Sequence, residues 1–212
     1  MVKGKAILPV VLMLLFALTR WPGFMPQNFS TAYALMFCAG VFFPRRLAWW
    51  LPMATMAASD LLLNWYYHSK YGTPLFSPEL IGNYIAYALL IGLGKWFGRK
   101  ASFVSLLAGG FLGAVIFYLV TNTLSWFFNP FNNPEYVKTL AGWFTALTRG
   151  TSGYASTWEF FRNTLSSGGL FTGLFAGAMK LADAAEPKEE KEPEEAPDSE
   201  AEPESKPEEA KA

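Results

Sequence analysis

One carboxylate, Asp60, lies inside an apolar stretch of this 212-residue chain, and carboxamides recur near the ends of its apolar stretches at Asn28, Asn64, Asn83, Asn122 and Asn163. A carboxylate in hydrocarbon costs roughly 2.5–3.5 kcal/mol on insertion scales, so Asp60 needs a partner or a function. Arg20, Arg149 and Arg162 are the candidate partners, and a structural ion pair accounts for Asp60 as well as a ligand site does. Asp60 with Asn64, and Asn122 with Trp126, are four apart and share a helix face. Tyr84, Tyr87, Trp126 and Tyr154 supply rings at a similar depth. The pattern predicts an outward-facing cavity for a small polar or ring-containing solute. In it Asn28, Asp60, Asn64, Asn83, Asn122 and Asn163 would hydrogen-bond the solute, and Trp126 or Tyr154 would stack on it. Helix ends are also where membrane proteins keep amides and Trp, so ordinary interfacial chemistry explains the same Asn set equally well.

Other chemistry is thinly represented. His68 is the only histidine and falls in a polar loop, where a solvated role is the simpler reading. Cys38 is the only cysteine, inside an apolar stretch, where it packs as a small hydrophobe. The Cys and His pairs of a metal or haem site are missing, so no cofactor is expected. One His, one Cys and one embedded acid do not assemble a nucleophile and base, which points away from an enzyme. No G-x-x-x-x-G-K-[ST] run occurs, so ATP-driven work would need another chain. The basic residues are scattered along apolar segments rather than gathered in a stripe, which argues against nucleic acid as a partner.

The elements that must position these residues are apolar segments punctuated by caps and prolines. Residues 6–19 are continuously apolar. The run is short enough for a signal peptide, but Ala17-Leu18-Thr19 before Arg20-Trp21-Pro22 is a poor cleavage site, so it reads as an uncleaved first helix. A second stretch covers 28–43 and a third 47–65. Ser77-Pro78-Glu79 opens a fourth. Ser102 opens a fifth, which continues to Asn129-Pro130, and Ser156-Thr157-Trp158-Glu159 is a capping box for a sixth ending near 181. Between the last two, the segment 134–149 places Val137, Leu140, Ala141, Phe144 and Leu147 on one face, an amphipathic helix suited to the membrane surface and to closing the cavity. The sequence therefore predicts an all-α integral membrane protein, a bundle of about six transmembrane helices with the lipid bilayer as its solvent.

Charge separates the chain into two parts. Residues 1–182 hold 13 Lys and Arg against four acids, a net +9, and residues 183–212 hold 13 acids against four Lys, a net −9. The Pro, Glu and Ala bias from Asp183 onward cannot bury enough apolar surface to fold, so the second part reads as a disordered acidic tail. With the N-terminus in the cytoplasm, Lys3, Lys5, Arg45, Arg46, Lys95, Arg99, Lys100 and Lys180 all lie inside. Arg20, Lys70, Lys138, Arg149 and Arg162 lie outside. This distribution places both termini and the tail in the cytoplasm of an inner-membrane protein.

Glycines recur four apart at Gly94 and Gly98, at Gly109 and Gly113, and at Gly169, Gly173 and Gly177. Such spacing lets helices approach closely, within the bundle or against a partner helix. Ala54 and Ala58 form a similar pair. A structural or accessory subunit of a larger membrane complex is therefore the alternative to a solute-binding component.

Taken together, Asn28-Phe29-Ser30, Arg45-Arg46 followed by Pro52 and Ser59-Asp60, Asn122 with Trp126, and Phe160-Phe161-Arg162-Asn163-Thr164-Leu165 resemble a bacterial membrane family described only in terms of transport. That family is in turn distantly similar to the substrate-binding S components of energy-coupling factor transporters. Over roughly 6–181 the resemblance implies a six-helix bundle with an outward-facing pocket, and coupling subunits as partners. S components usually carry an Ala-x-x-x-Ala pair on the first helix, whereas the comparable pair here, Ala54 and Ala58, is on the third. The family often has Gly-Asp after the Asn-Thr-Leu stretch, whereas this chain has Ser167-Gly168.

Overall fold

The computed structural model describes residues 3–185, and these form seven α-helices without strands. They are α1 (Lys3–Thr19), α2 (Ala32–Phe42), α3 (Leu47–Tyr71), α4 (Glu79–Phe97), α5 (Phe103–Phe128), α6 (Leu140–Thr148) and α7 (Thr157–Ala185). The acidic segment read as a tail lies, from residue 186, outside the described residues. Asp183 itself is still helical, and Arg99 Nε donates to its carboxylate at 2.8 Å. That pair brings the end of α7 to the turn between α4 and α5.

Several sequence signals act as read. The Ser102 hydroxyl accepts the Ser105 N–H at 3.1 Å, and α5 ends at Asn129 in the left-handed region, φ 40°. At the start of α7 the Ser156 hydroxyl accepts the Glu159 N–H at 3.4 Å and donates to the Glu159 carboxylate at 3.1 Å, a side-chain variant of the expected capping box. Elsewhere the boundaries move. α2 begins four residues later than read because Asn28 takes a positive φ of 58° and the Ser30 hydroxyl accepts the Ala32 N–H at 3.1 Å. α3 runs on to Tyr71, where Gly72 (φ 67°) caps it, so half of the expected polar loop is helix. The segment 134–149 forms a helix only from Leu140, because the Thr139 hydroxyl caps it by accepting the Gly142 N–H at 3.2 Å.

All eleven residues of α2 are buried, and α4, α7, α3 and α5 pack around it. The closest approach is between α2 and α4. A methyl group on Gly40 would overlap the Ile91 carbonyl, and one on Gly94 would overlap the Phe37 carbonyl, so these two backbones are in contact. α5 and α7 also meet at glycines, here against side chains: Gly110 against Thr172, Gly168 against the Ala114 methyl and Gly169 against the Phe111 ring. Of the glycines that recur four apart, Gly94, Gly109 and Gly169 are packed tightly inside the bundle.

Among the described residues two helices are long and apolar enough to cross a membrane by length and composition: Leu80–Phe97 within α4, and Phe103–Phe128. α2 is apolar but, at about 1.5 Å per residue, only about 16 Å long. α3 (25 residues) and α7 (29 residues) are long enough as well, but carry Asn, Tyr and charged residues that lower their hydropathy.

Candidate functional site

Arg20 follows the last turn of α1, and its guanidinium crosses to the middle of α3. One nitrogen lies 2.7 Å from Asp60 Oδ1, and the other donates to the Ser59 hydroxyl at 3.1 Å and touches the Met56 sulfur. The second Asp60 oxygen accepts the Tyr84 hydroxyl of α4 at 2.9 Å. Asp60 is only 8% exposed, so each of its oxygens has exchanged water for a protein donor. Of the three candidate partners, Arg20 is the one that reaches it. Behind Tyr84, an aromatic column runs through Tyr87 (6.0 Å between ring centres), Phe117 (5.3 Å, stacked on Tyr87) and Tyr33 (4.6 Å from Phe117). The Tyr33 hydroxyl donates to the Asn28 carbonyl at 3.3 Å, tying the column to the turn before α2.

Two grooves flank the N-terminal half of α4 and share Ile81 and Ile85 as their dividing wall. The groove between α3 and α4 measures about 610 Å³; Asp60, Asn64 and Tyr84 line it among Ala57, Leu61, Phe76 and Leu80. The groove between α4 and α5 measures about 450 Å³, and four polar side chains converge on it: Asn83 from α4, and Thr121, Asn122 and Ser125 from α5. Pro78 and Pro130 bound one end of it, where α4 begins and just after α5 stops. Gly82 and Leu124 complete the lining where α4 and α5 approach.

The sequence-predicted site residues are therefore divided rather than pooled. Asp60 and Asn64 share one groove, Asn83 and Asn122 the other. Asn64 also donates to the Leu75 carbonyl at 2.9 Å, and Asn122 to the Tyr118 carbonyl at 2.8 Å. Asn28 acts through its backbone in the turn before α2, and Asn163 donates to the Gln27 carbonyl of the same turn at 2.9 Å. Trp126 donates its indole N–H to the Val137 carbonyl at 2.8 Å. Tyr154 lies 77% exposed in the loop before α7. Thr121 and Ser125 are lining residues that sequence reasoning passed over, although they stand beside Asn122 and four apart on one face.

The 134–149 segment closes neither groove, since none of its residues line them. Its helix α6 packs on α5 and α7 instead. Trp143 donates to the Thr123 hydroxyl at 3.0 Å, and the Tyr118 hydroxyl donates to the Leu147 carbonyl. Ala146 and Leu147 are buried by this packing, while Leu140 and Phe144 point outward. In the connection before α6, Glu135 accepts the Ser152 N–H at 3.0 Å. Hydrogen bonds from the Ser152 side chain and amide hold its carboxyl below the ordinary carboxylate range.

The fold and its grooves define a class: an all-helical protein built around a short buried helix, with two helices apolar enough to span a membrane. The chain belongs to a family of unknown function, DUF6580, whose model matches residues 2–191. No curated protein and no solved structure matches it.

Proposed function

We propose that this chain is the solute-binding component of a membrane transporter, and that the groove between α4 and α5 holds a small polar or ring-containing solute. The observation that carries the reading is the convergence of Asn83, Thr121, Asn122 and Ser125 on one pocket of about 450 Å³, within the size range of small-molecule sites. Amides and hydroxyls placed between apolar helices orient a ligand by hydrogen bonds without demanding that it carry charge.

In this reading α1, α3, α4, α5 and α7 cross the bilayer around α2. Each presents large apolar residues outward: Leu14 and Leu18, Leu62 and Trp65, Ile81 and Ile85, Val104 and Leu119, Leu170 and Leu174. α2 completes a sixth crossing with the non-helical residues before it, as discontinuous helices do in transporters. The short turns with Arg45-Arg46 and Arg99-Lys100 face the cytoplasm, with both termini on that side, and α6 lies at the outer surface. Ala54 and Ala58 are exposed on α3 and are open to a coupling subunit, in keeping with the resemblance to S components. The accessory-subunit alternative drew on the glycines, and of these Gly94, Gly109 and Gly169 are taken up by packing within the chain.

The reading is tested by thermal unfolding of the purified chain with and without a desalted small-molecule extract of the cells that make it. A ligand that binds the folded state raises the midpoint. The rise is expected for wild type and not for Asn83→Ala/Asn122→Ala. An equal rise in both would remove the groove from consideration.

A further inference from the structure

Building on the solute-binding reading, we infer that the ligand of the α4/α5 groove is an uncharged amphiphile with a hydroxyl- or amide-bearing head, entering sideways from the outer leaflet. Three observations converge on this chemistry.

First, the described residues that line the groove are all uncharged. A carboxylate, phosphate or ammonium head would lose its hydration and find no counter-charge there. Second, the polar groups present a surface rich in acceptors. The Thr121 hydroxyl already donates to the Phe117 carbonyl at 2.9 Å, and the Asn122 amide N–H₂ donates to the Tyr118 carbonyl at 2.8 Å. Each keeps an oxygen for an incoming donor. Asn83 adds a carboxamide with no hydrogen-bond partner among the described residues. A head with O–H or N–H donors satisfies these oxygens.

Third, the rim is apolar and outward-facing. Ile81 is 67% exposed, Ile85 46% and Phe128 68%. Ile81, Ile85 and Leu89 are four apart and form one stripe down α4, the first two bounding the groove and the third continuing the stripe beyond it. An acyl or prenyl chain lies along it while the head reaches Asn83 and Asn122. α4 and α5 are also the two helices whose length and composition suit a membrane, so the mouth between them opens to hydrocarbon.

The experiment uses the full chain in phosphatidylcholine nanodiscs and a monoacylglycerol carrying a photoreactive diazirine on its chain, with labelled peptides mapped by mass spectrometry. Labelling is expected to concentrate on 78–89 and 121–130. Excess unlabelled monoacylglycerol should compete it away, and glycerol should not. Asn83→Leu/Asn122→Leu should lower it about tenfold; if that variant does not fold, competition in wild type decides the matter. Even labelling along the outward faces of α1, α3 and α7 as well as the groove would overturn the inference. If labelling is even but the soluble extract still stabilises wild type and not Asn83→Ala/Asn122→Ala, the amphiphile falls and the solute-binding reading stands. Even labelling with no stabilisation by extract removes both.

Discussion

Arg20 and Asp60 stand 2.7 Å apart, joining the end of α1 to the middle of α3. α1 is also tied to the turn before α2 by the buried Thr19 and Thr31 hydroxyls, 2.8 Å apart, and the ion pair adds its link to α3. Removing one member of a buried pair strands the other charge, which typically costs about 3–5 kcal/mol, whereas replacing both by apolar residues is often neutral. Arg20→Leu is therefore expected to be strongly destabilising and Arg20→Leu/Asp60→Leu to recover most of the loss, measured by thermal unfolding in detergent. A double variant as unstable as the single would mean that the pair contributes more than charge compensation.

The backbone contact of Gly40 with α4 makes a second prediction. Gly40→Ala and Gly94→Ala each drive a methyl group into a carbonyl of the facing helix, while Gly92 faces open space. The first two should fail to yield a monodisperse protein on size exclusion, and Gly92→Ala should behave as wild type. Normal behaviour of Gly94→Ala would show that α2 and α4 can separate.

How much of this was legible beforehand differs by level. The seven helices could be read because caps such as Ser102 and the Ser156–Glu159 box are local signals that hold whatever the surroundings. The partner of Asp60 could be narrowed to three arginines but not chosen, because the choice depends on where α1 ends relative to α3. The Asn residues were read as one cluster because they share a depth. Depth says nothing about azimuth, and α4 stands between Asn64 and Asn122. The Gly40–Gly94 contact was missed because Gly40 has no glycine partner four residues away on its own helix.

Glu135 gives a pH signature outside the apolar segments. Its hydrogen bonds from Ser152 lower its carboxyl pKa on folding, so their stabilising contribution is complete above the unfolded carboxylate pKa and lost as pH falls through the folded one. Hydrogen exchange at the Ser152 amide, corrected for its intrinsic pH dependence, should accelerate over that acidic window. In Glu135→Gln the acceleration should vanish. Persistence of the same window in that variant would assign it to another group.

Orientation is checked by single cysteines in a Cys38→Ala background. Tyr154→Cys should react with a membrane-impermeant maleimide on intact cells, and Arg46→Cys only after permeabilisation. The reverse pattern would invert the topology and turn the grooves toward the cytoplasm.

The most direct measurement is native mass spectrometry of the full chain gently extracted from its own membrane, scored for bound small molecules. Wild type is predicted to carry one retained ligand per chain, absent from Asn83→Ala/Asn122→Ala while Tyr154→Ala keeps it. A wild-type protein that flies empty but holds stoichiometric protein partners would contradict solute binding and make the chain an accessory subunit.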